Sequence, residues 1–273
     1  EDAQAGDLLL AAGDLLLPHT LGLLASLGQA EVSVHRQPRV AILSTGDELL
    51  PIEAELEPGK IRNSNSVVIA AQIEQAGGQV INLGIAKDIE SEVEARLQQA
   101  IDAGADLLVT TAGVSMGARD VVRLVIERHG QLQFWRVNMR PGKPVVFGRY
   151  KNLPLIGLPG NPVSAFVTCE VFVRPILRWL AGHKLASRPF INAEIAEDIT
   201  SDGRESYLRA MLWRTESGQL MAKLAGGQGS NLLRPLAVAN GLIVIPAGTT
   251  AIKAGAPVSA WLFDRDYLPQ TLQ

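Results

Sequence analysis

The sequence has few of the features that mark extracellular, membrane or nucleic-acid-binding proteins. Cys169 is the only cysteine in 273 residues, which excludes a disulfide framework and a zinc cage of several thiolates. No apolar run reaches the roughly 18–20 residues of a membrane span. With a formal net charge of −3 the chain has no overall basic character, so we expect no nucleic-acid partner. It opens with Glu1 and Asp2 rather than with a positive signal-peptide region, so we expect a cytoplasmic location.

Familiar catalytic arrangements are also missing. The sequence has no Walker-type phosphate loop, no histidine cluster and no Ser–His–Asp pattern, and its 4 histidines are scattered. An apolar fraction of 47% and a charged fraction of 19% are normal for a globular protein. At about 100–200 residues per domain, the length predicts two domains and a fragment of a third.

The first 37 residues hold short apolar runs between glycines. Their pattern predicts a short helix over residues 20–27 and strands over residues 7–10 and 31–35. Because this piece is small for a core of its own, we expect residues 1–37 to be the remnant of an N-terminal domain that packs against something else.

Two further domains follow. Residues 38–184 alternate apolar strands with helical periodicity, which predicts a three-layer α/β sheet domain. Its last helix, over residues 161–181, contains Pro175 and is expected to kink there. Residues 185–273 carry short strand candidates separated by glycines, which predicts a small all-β domain, a barrel or a sandwich.

Ligands in such α/β domains bind beyond the carboxyl ends of the strands, where two loops are rich in glycine and acid. Residues 44–49 end a buried strand and bring Asp47 and Glu48 to that edge, as ligands or as a solvated turn. Residues 110–120 lead into a helix start that favours an anion. Asp120 there is either a divalent-cation ligand or the cap of the helix.

Two more loops complete the edge. In residues 136–143, Arg136, Asn138 and Arg140 are expected to share one face of a strand, with Lys143 turned toward them, as an oxyanion site or a solvated edge. In residues 157–164, Asn161 either caps the next helix or contacts a ligand.

Several motifs in this order resemble the MoeA family, which includes the E domains of gephyrin and of the plant Cnx proteins. They are STGDEL (44–49), INLGIAKD (81–88), TTAGVSMGARD (110–120), MRPGKPVVFG (139–148) and LPGNPVSAF (158–166). The resemblance implies a MogA-like α/β domain followed by a barrel-like domain. It also implies a molybdopterin molybdenumtransferase, which inserts molybdate into adenylylated molybdopterin with Mg²⁺-dependent cleavage of the adenylate and release of AMP.

The resemblance also implies roles for individual residues. Those matching Mg²⁺ ligands are Glu48 and Asp120. Those matching positions that act on the molybdate and the phosphates are Asp88, Arg136, Arg140, Lys143, Arg209 and Ser230. Those matching molybdopterin-binding positions are Thr45, Gly46, Gly113, Ser115, Gly117, Pro159, Asn161 and Pro162. Arg136 and Arg140 stand where the family more often has lysine, which alters the geometry of that end.

Partners implied by the resemblance are adenylylated molybdopterin, molybdate, a MogA-type adenylyltransferase and apo-molybdoenzymes. The family is homodimeric and usually has about 140 further residues before this point, a domain-sized piece, so dimerisation of this chain stays open. Two alternatives remain. One is a molybdopterin adenylyltransferase or CinA-like pyrophosphatase, which the trailing β domain and the PGKP motif disfavour. The other is a molybdopterin-binding scaffold with little catalysis.

Overall fold

The computed structural model describes residues 4, 6–113, 121–184, 187–264 and 269. The helices found there are α1 (Pro18–Ser26), α2 (Ser64–Gln75), α3 (Glu90–Asp102), α4 (Val121–His129), α5 (Pro162–Thr168), α6 (Arg174–Leu180) and α7 (Leu233–Val238). A π-helical turn, Cys169–Val173, joins α5 to α6.

The strands follow the chain in this order: β1 (Arg39–Thr45), β2 (Leu49–Leu50), β3 (Ile61–Arg62), β4 (Gln79–Ala86), β5 (Leu107–Thr111), β6 (Gly130–Arg136), β7 (Met139–Arg140), β8 (Pro144–Tyr150), β9 (Leu153–Leu158), β10 (Ile191–Ile195), β11 (Ile199–Thr200), β12 (Glu205–Arg214), β13 (Leu220–Leu224), β14 (Gly241–Ile245), β15 (Ala251–Ile252) and β16 (Pro257–Leu262).

The first large sheet confirms the expected three-layer α/β fold. Its strand order is β4-β1-β5-β9-β8-β6, with β4, β1, β5 and β9 parallel. Alternate residues of β1 enter opposite cores. Ala41 and Leu43 pack with α3 and α4, whereas Val40 and Ile42 pack with α2, α5 and α6. A strand segment buried on both faces is expected to be apolar, as residues 40–43 of β1 are.

The second sheet confirms the all-β prediction and closes into a barrel. Its strands run β13-β10-β16-β14-β12, and β13 pairs with β12 as well, so five strands form a ring. One core of eleven buried side chains fills it. Closure removes the free edges that a five-stranded sheet would otherwise expose.

The strand expected to carry Arg136, Asn138 and Arg140 on one face does not form. β6 ends at Arg136, and β7, which holds Arg140, pairs with β12 of the barrel instead. The physical reason is that the residues after Arg136 no longer have a neighbouring strand of the first sheet to pair with. Arg136 lies opposite Pro144, the first residue of β8, so the next residues have no neighbour in the first sheet. The segment between β6 and β8 thereby reaches from one domain to the other.

The irregularity expected at Pro175 is the π-helical turn just before it. The N–H of Arg174 donates to the carbonyl of Cys169, five residues back. Pro175 has no N–H, and its ring crowds the carbonyl four residues earlier, which breaks the regular α-helical pattern. The turn places Glu170 in the interior, 3% exposed.

Glu170 anchors a buried polar network between the two domains. Its carboxylate accepts from Gln72 Nε2 at 2.9 Å and from Arg188 Nε at 2.6 Å. Arg188 also donates through Nη1 to the carbonyls of Leu262 and Phe263, at 3.1 and 2.7 Å. The guanidinium therefore ties α2 and the π-helical turn to the end of the last barrel strand.

The N-terminal segment forms its expected helix as α1, but the two predicted strands are wrong. Residues 7–10 and 31–35 form no ladder with any described strand. Leu8 is 83% exposed and Val34 is 67% exposed. Alternating apolar residues form a strand only where a neighbour accepts their backbone hydrogen bonds. No helix in the described part of the chain is long and apolar enough to cross a membrane.

We expect the Cys169 thiol to be unreactive while the protein is folded. The side chain is 1% exposed, and burial raises its pKa well above the ordinary value, so the reactive thiolate is scarce. Titration with a disulfide reagent should release no chromophore from native protein and one equivalent after unfolding. Rapid release from native protein would show that the π-helical turn opens readily.

Candidate functional site

A cleft of about 730 Å³ lies at the carboxyl ends of the parallel strands. Its walls come from the segments that follow β1, β4, β5 and β9 and from the first turn of α2. The barrel domain contributes the loop between β13 and α7, here called the barrel loop. The lining residues are Thr45, Gly46, Glu48, Leu49, Ile61, Arg62, Asn63, Ser64, Asn65, Asp88, Ala112, Gly113, Pro144, Pro159, Gly160, Asn161, Pro162 and Asn231. A second cavity of similar volume lies between the N-terminal segment and residues 181–183, but its lining is mostly aliphatic.

The cleft brings together eight of the residues that the sequence singled out. They are Thr45, Gly46, Glu48, Asp88, Gly113, Pro159, Asn161 and Pro162. Five others are described but do not line it: Arg136, Arg140, Lys143, Arg209 and Ser230. The remaining three, Ser115, Gly117 and Asp120, lie outside the described residues.

Two carboxylates, Glu48 and Asp88, face the cleft from neighbouring loops. Gly46 has φ +146°, which L side chains rarely adopt, and a Cβ there would lie 2.7 Å from Glu48 Oε2, so a larger residue would push the carboxylate from its present position over the turn. Asp47 joins the loops, because its Oδ1 accepts from the backbone N–H of Asp88 at 3.3 Å. The two acids are thereby held at one side of the cleft.

This donor set fits Mg²⁺. The described residues contain no cluster of three or more metal-binding side chains. Mg²⁺ does not need one, since it usually keeps several waters and binds one or two carboxylates together with substrate phosphates. Glu48 and Asp88 supply hard oxygen ligands of that kind in an open cleft.

Thr45 presents a buried hydroxyl to the same cleft. The residue is 1% exposed, and its Oγ1 has no hydrogen-bond partner within the described part of the chain. Gly113, at φ +68°, leaves room beside it, because a Cβ there would lie 2.8 Å from that oxygen. A buried hydroxyl without a partner costs about 1–3 kcal/mol, so a ligand group that pairs with Thr45 gains that energy.

Asn161 connects the cleft to the barrel. It occupies the N-cap position of α5, but its side chain makes no capping bond and instead donates through Nδ2 to Ser230 Oγ at 3.0 Å. The carbonyl of Ser230 accepts from the N–H of Val163. The barrel loop thus docks on the start of α5, which places Ser230 at the edge of the cleft and Asn231 in its wall.

Arg209 lies beneath that loop and is fully buried. Its Nη2 donates to the carbonyls of Gly227 and Gly229 at 2.7 and 3.2 Å, and its buried Nε has no partner within the described residues. Burial lowers the pKa of the guanidinium. In this geometry Arg209 supports the glycine-rich loop that carries Ser230.

The other three predicted cations, Arg136, Arg140 and Lys143, are exposed. Arg140 pairs with Asp202 across 3.5 Å, and that carboxylate has its pKa lowered to about 2, chiefly by hydrogen bonds from Arg204. Arg136 ends β6 in the other sheet. Lys143 directly precedes Pro144, which lines the cleft. Of the three cations it is therefore the one closest in sequence to a lining residue.

Ten of the eighteen lining residues were not predicted as site residues, and those with polar side chains that matter most here are Arg62, Asn65 and Asn231. Asn65 donates through Nδ2 to the carbonyl of Gly160 at 2.8 Å and so joins α2 to the turn before α5. Arg62 stands at the end of β3, directly before the N-cap of α2. The signal available in the sequence was that N-cap, Asn63, because it marks a helix start whose flanking residues face the ligand edge.

Comparison with known proteins gives two family matches. Residues 41–179 match the family described as probable molybdopterin binding domain, and residues 192–263 match the MoeA C-terminal region, domain IV. The chain is 38% identical over 261 residues to the molybdopterin molybdenumtransferase of Haemophilus influenzae, covering 95% of this chain and 64% of the relative. It is 39% identical over 270 residues to molybdopterin molybdenumtransferase 2 of Mycobacterium tuberculosis, and the match covers 96% of this chain and 65% of that relative.

Solved structures agree. The molybdopterin biosynthesis MoeA protein of Pyrococcus horikoshii superimposes with a TM-score of 0.79 at 28% identity, over 94% of this chain and 62% of that one. A molybdenum cofactor biosynthesis protein of Pyrococcus furiosus superimposes with a TM-score of 0.72 at 27% identity. That superposition covers 96% of this chain and 82% of the Pyrococcus furiosus chain. The chain spans just under two thirds of the length of the curated relatives named above.

Proposed function

Since the chain belongs to the family of the probable molybdopterin binding domain, here joined to a MoeA C-terminal region, we propose that it acts as a molybdopterin molybdenumtransferase. Its substrates are adenylylated molybdopterin and molybdate, and the adenylate leaves as AMP. The observation that carries the proposal is that residues from separate loops meet in one cleft. Eight residues from separate loops, chosen from the sequence alone, line one cleft that holds two carboxylates and a helix start.

In this proposal Glu48 and Asp120, the two positions given by the resemblance, would hold Mg²⁺, and the carboxylate of Asp88 in the same cleft would support them. Bound there, Mg²⁺ would neutralise phosphate charge and favour departure of the adenylate. Thr45 Oγ1 donates a hydrogen bond to the ligand, and Gly113 lets the ligand approach the backbone closely. Asn161 holds Ser230 at the molybdate end. Molybdate or water is the attacking group, and the protein positions it and balances charge.

Mg-ADP is a practical stand-in for the adenylylated ligand. In calorimetric titration we expect the unsubstituted chain to bind Mg-ADP and to lose most of that affinity when EDTA removes Mg²⁺. Glu48→Gln should weaken binding by about tenfold or more, equivalent to about 1.4 kcal/mol, because it removes one charged oxygen ligand and keeps the side-chain shape.

The matched control is Glu57→Gln, an exposed acid on the nearby loop that does not line the cleft. It should leave the affinity within twofold. Absence of Mg-ADP binding by the unsubstituted chain would contradict the proposal. Equal weakening by both variants would show that overall charge, and not the cleft, sets the affinity.

A further inference from the structure

We propose that Arg62 is the phosphate-binding side chain of the cleft, a role that rests on the proposed function and narrows it to one residue. The carboxylates of Glu48 and Asp88 line the cleft, and Arg62 is the one arginine or lysine among its described lining residues. A ligand with two or more phosphate charges would be repelled by the acids alone. A cationic side chain in the same cleft, in addition to Mg²⁺ on the carboxylates, would favour such a ligand further.

The guanidinium of Arg62 is oriented without being neutralised. Its Nε donates to the carbonyl of Ile52 at 2.9 Å, and its Nη2 donates to the carbonyl of Ala54 at 3.2 Å. Both acceptors are uncharged, and no carboxylate forms an ion pair with Arg62 within the described part of the chain.

Several other arginines of the chain differ in this respect. Arg36, Arg128 and Arg188 each bind a carboxylate, which satisfies their charge internally. A guanidinium has five N–H donors, and the two carbonyl bonds of Arg62 leave three for a ligand. Because the two carbonyl bonds already hold the guanidinium group in place, binding a phosphate costs little further ordering of the side chain.

The neighbouring backbone favours the same ligand. Arg62 directly precedes Asn63, the N-cap of the twelve-residue helix α2. The first-turn residues Ser64 and Asn65 line the cleft beside it. A helix start carries unpaired N–H groups and partial positive charge, which suit an oxyanion. The side chain and the helix start therefore add positive charge to the same cleft as the two carboxylates.

Parallel pairing explains why these groups meet. Leu49 and Leu50 of β2 lie beside Ile61 and Arg62 of β3, so the chain leaves the edge of the sheet after Glu48 and returns to it twelve residues later. Lys60 Nζ donates to the carbonyl of Asp47 at 2.7 Å, and this bond joins the segment before β3 to the segment before β2. The acid and the arginine are thus placed on the two ends of one short loop.

The test is titration of Mg-ADP into the unsubstituted chain, Arg62→Gln, Arg62→Lys and Arg149→Gln. Arg149 is an exposed arginine on β8, five residues beyond the end that reaches the cleft, and its substitution removes the same charge. We expect Arg62→Gln to bind about 10- to 100-fold more weakly, since a charge-assisted bond is lost. Arg62→Lys should be intermediate, and Arg149→Gln unchanged.

Arg62→Gln within twofold of the unsubstituted chain overturns this inference and leaves the proposed function standing. Equal weakening by Arg62→Lys and Arg62→Gln, with a lowered melting temperature in both, also overturns it, because the loss then comes from the loop that Arg62 holds. Failure of the unsubstituted chain to bind overturns both proposals.

Discussion

Glu170→Ala should lower the free energy of unfolding by about 3–5 kcal/mol, the usual effect of removing one member of a buried ion pair. Glu170 is the carboxylate between Arg188 and Arg174, whose side chains are 11% and 12% exposed. Without it, both guanidinium groups stay largely buried with no carboxylate partner among the residues that the structure describes. Burial, together with the charge of Arg188, already lowers the pKa of Arg174. Urea unfolding followed by circular dichroism measures the change.

The control for this variant is Glu127→Ala. Glu127 pairs with Arg123 at 2.7 Å on the surface of α4, and both side chains are about one third exposed. Exposed pairs four residues apart on a helix contribute only about 0.3–0.5 kcal/mol. A loss in Glu170→Ala no larger than in this control would show that the network does not stabilise the junction between the sheet domain and the barrel.

Local sequence patterns were sufficient to predict the frame of both domains. The apolar run at residues 40–43 of β1 is typical of a strand with helices on both faces, which the structure has. Glycine-separated short strands predicted a small all-β domain, a barrel or a sandwich, and the structure has the barrel. The eight cleft residues were assigned by the family resemblance, and they meet because parallel strands bring their carboxyl ends to one edge, whatever the order of the strands.

Features that depend on pairing between distant segments could not be predicted. The spacing of Arg136 and Arg140 fits one strand, but β7 finds its partner in β12, more than sixty residues away. Arg62 reaches the cleft only through the pairing of β3 with β2. Arg209 has the residue type of an exposed anion binder, and burial beneath a loop leaves no local mark in the sequence. In each case the long-range partner decides the position of the charge.

Gly142→Ala should destabilise the protein by about 2–6 kcal/mol, the sum of a strained backbone and an overpacked core. Gly142 has φ +109°, a conformation that L side chains rarely adopt. An added Cβ would overlap Cγ2 of Thr168. Thr168 cannot move aside easily, because it is fully buried and its Oγ1 donates to the carbonyl of Ser164 at 2.7 Å. Thermal and urea unfolding measure the loss.

The control, Gly248→Ala, separates the two contributions. Gly248 has φ +88°, but no heavy atom lies within 4 Å of the position a Cβ would take, so only the backbone cost of about 1–3 kcal/mol applies. The excess in Gly142→Ala then measures how tightly the turn packs against α5. This packing matters to the cleft, because the turn lies between β7, which pairs with the barrel, and Pro144, which lines the site. Equal losses in the two variants would show that the turn can shift away from α5 at little cost and does not hold Pro144 in place.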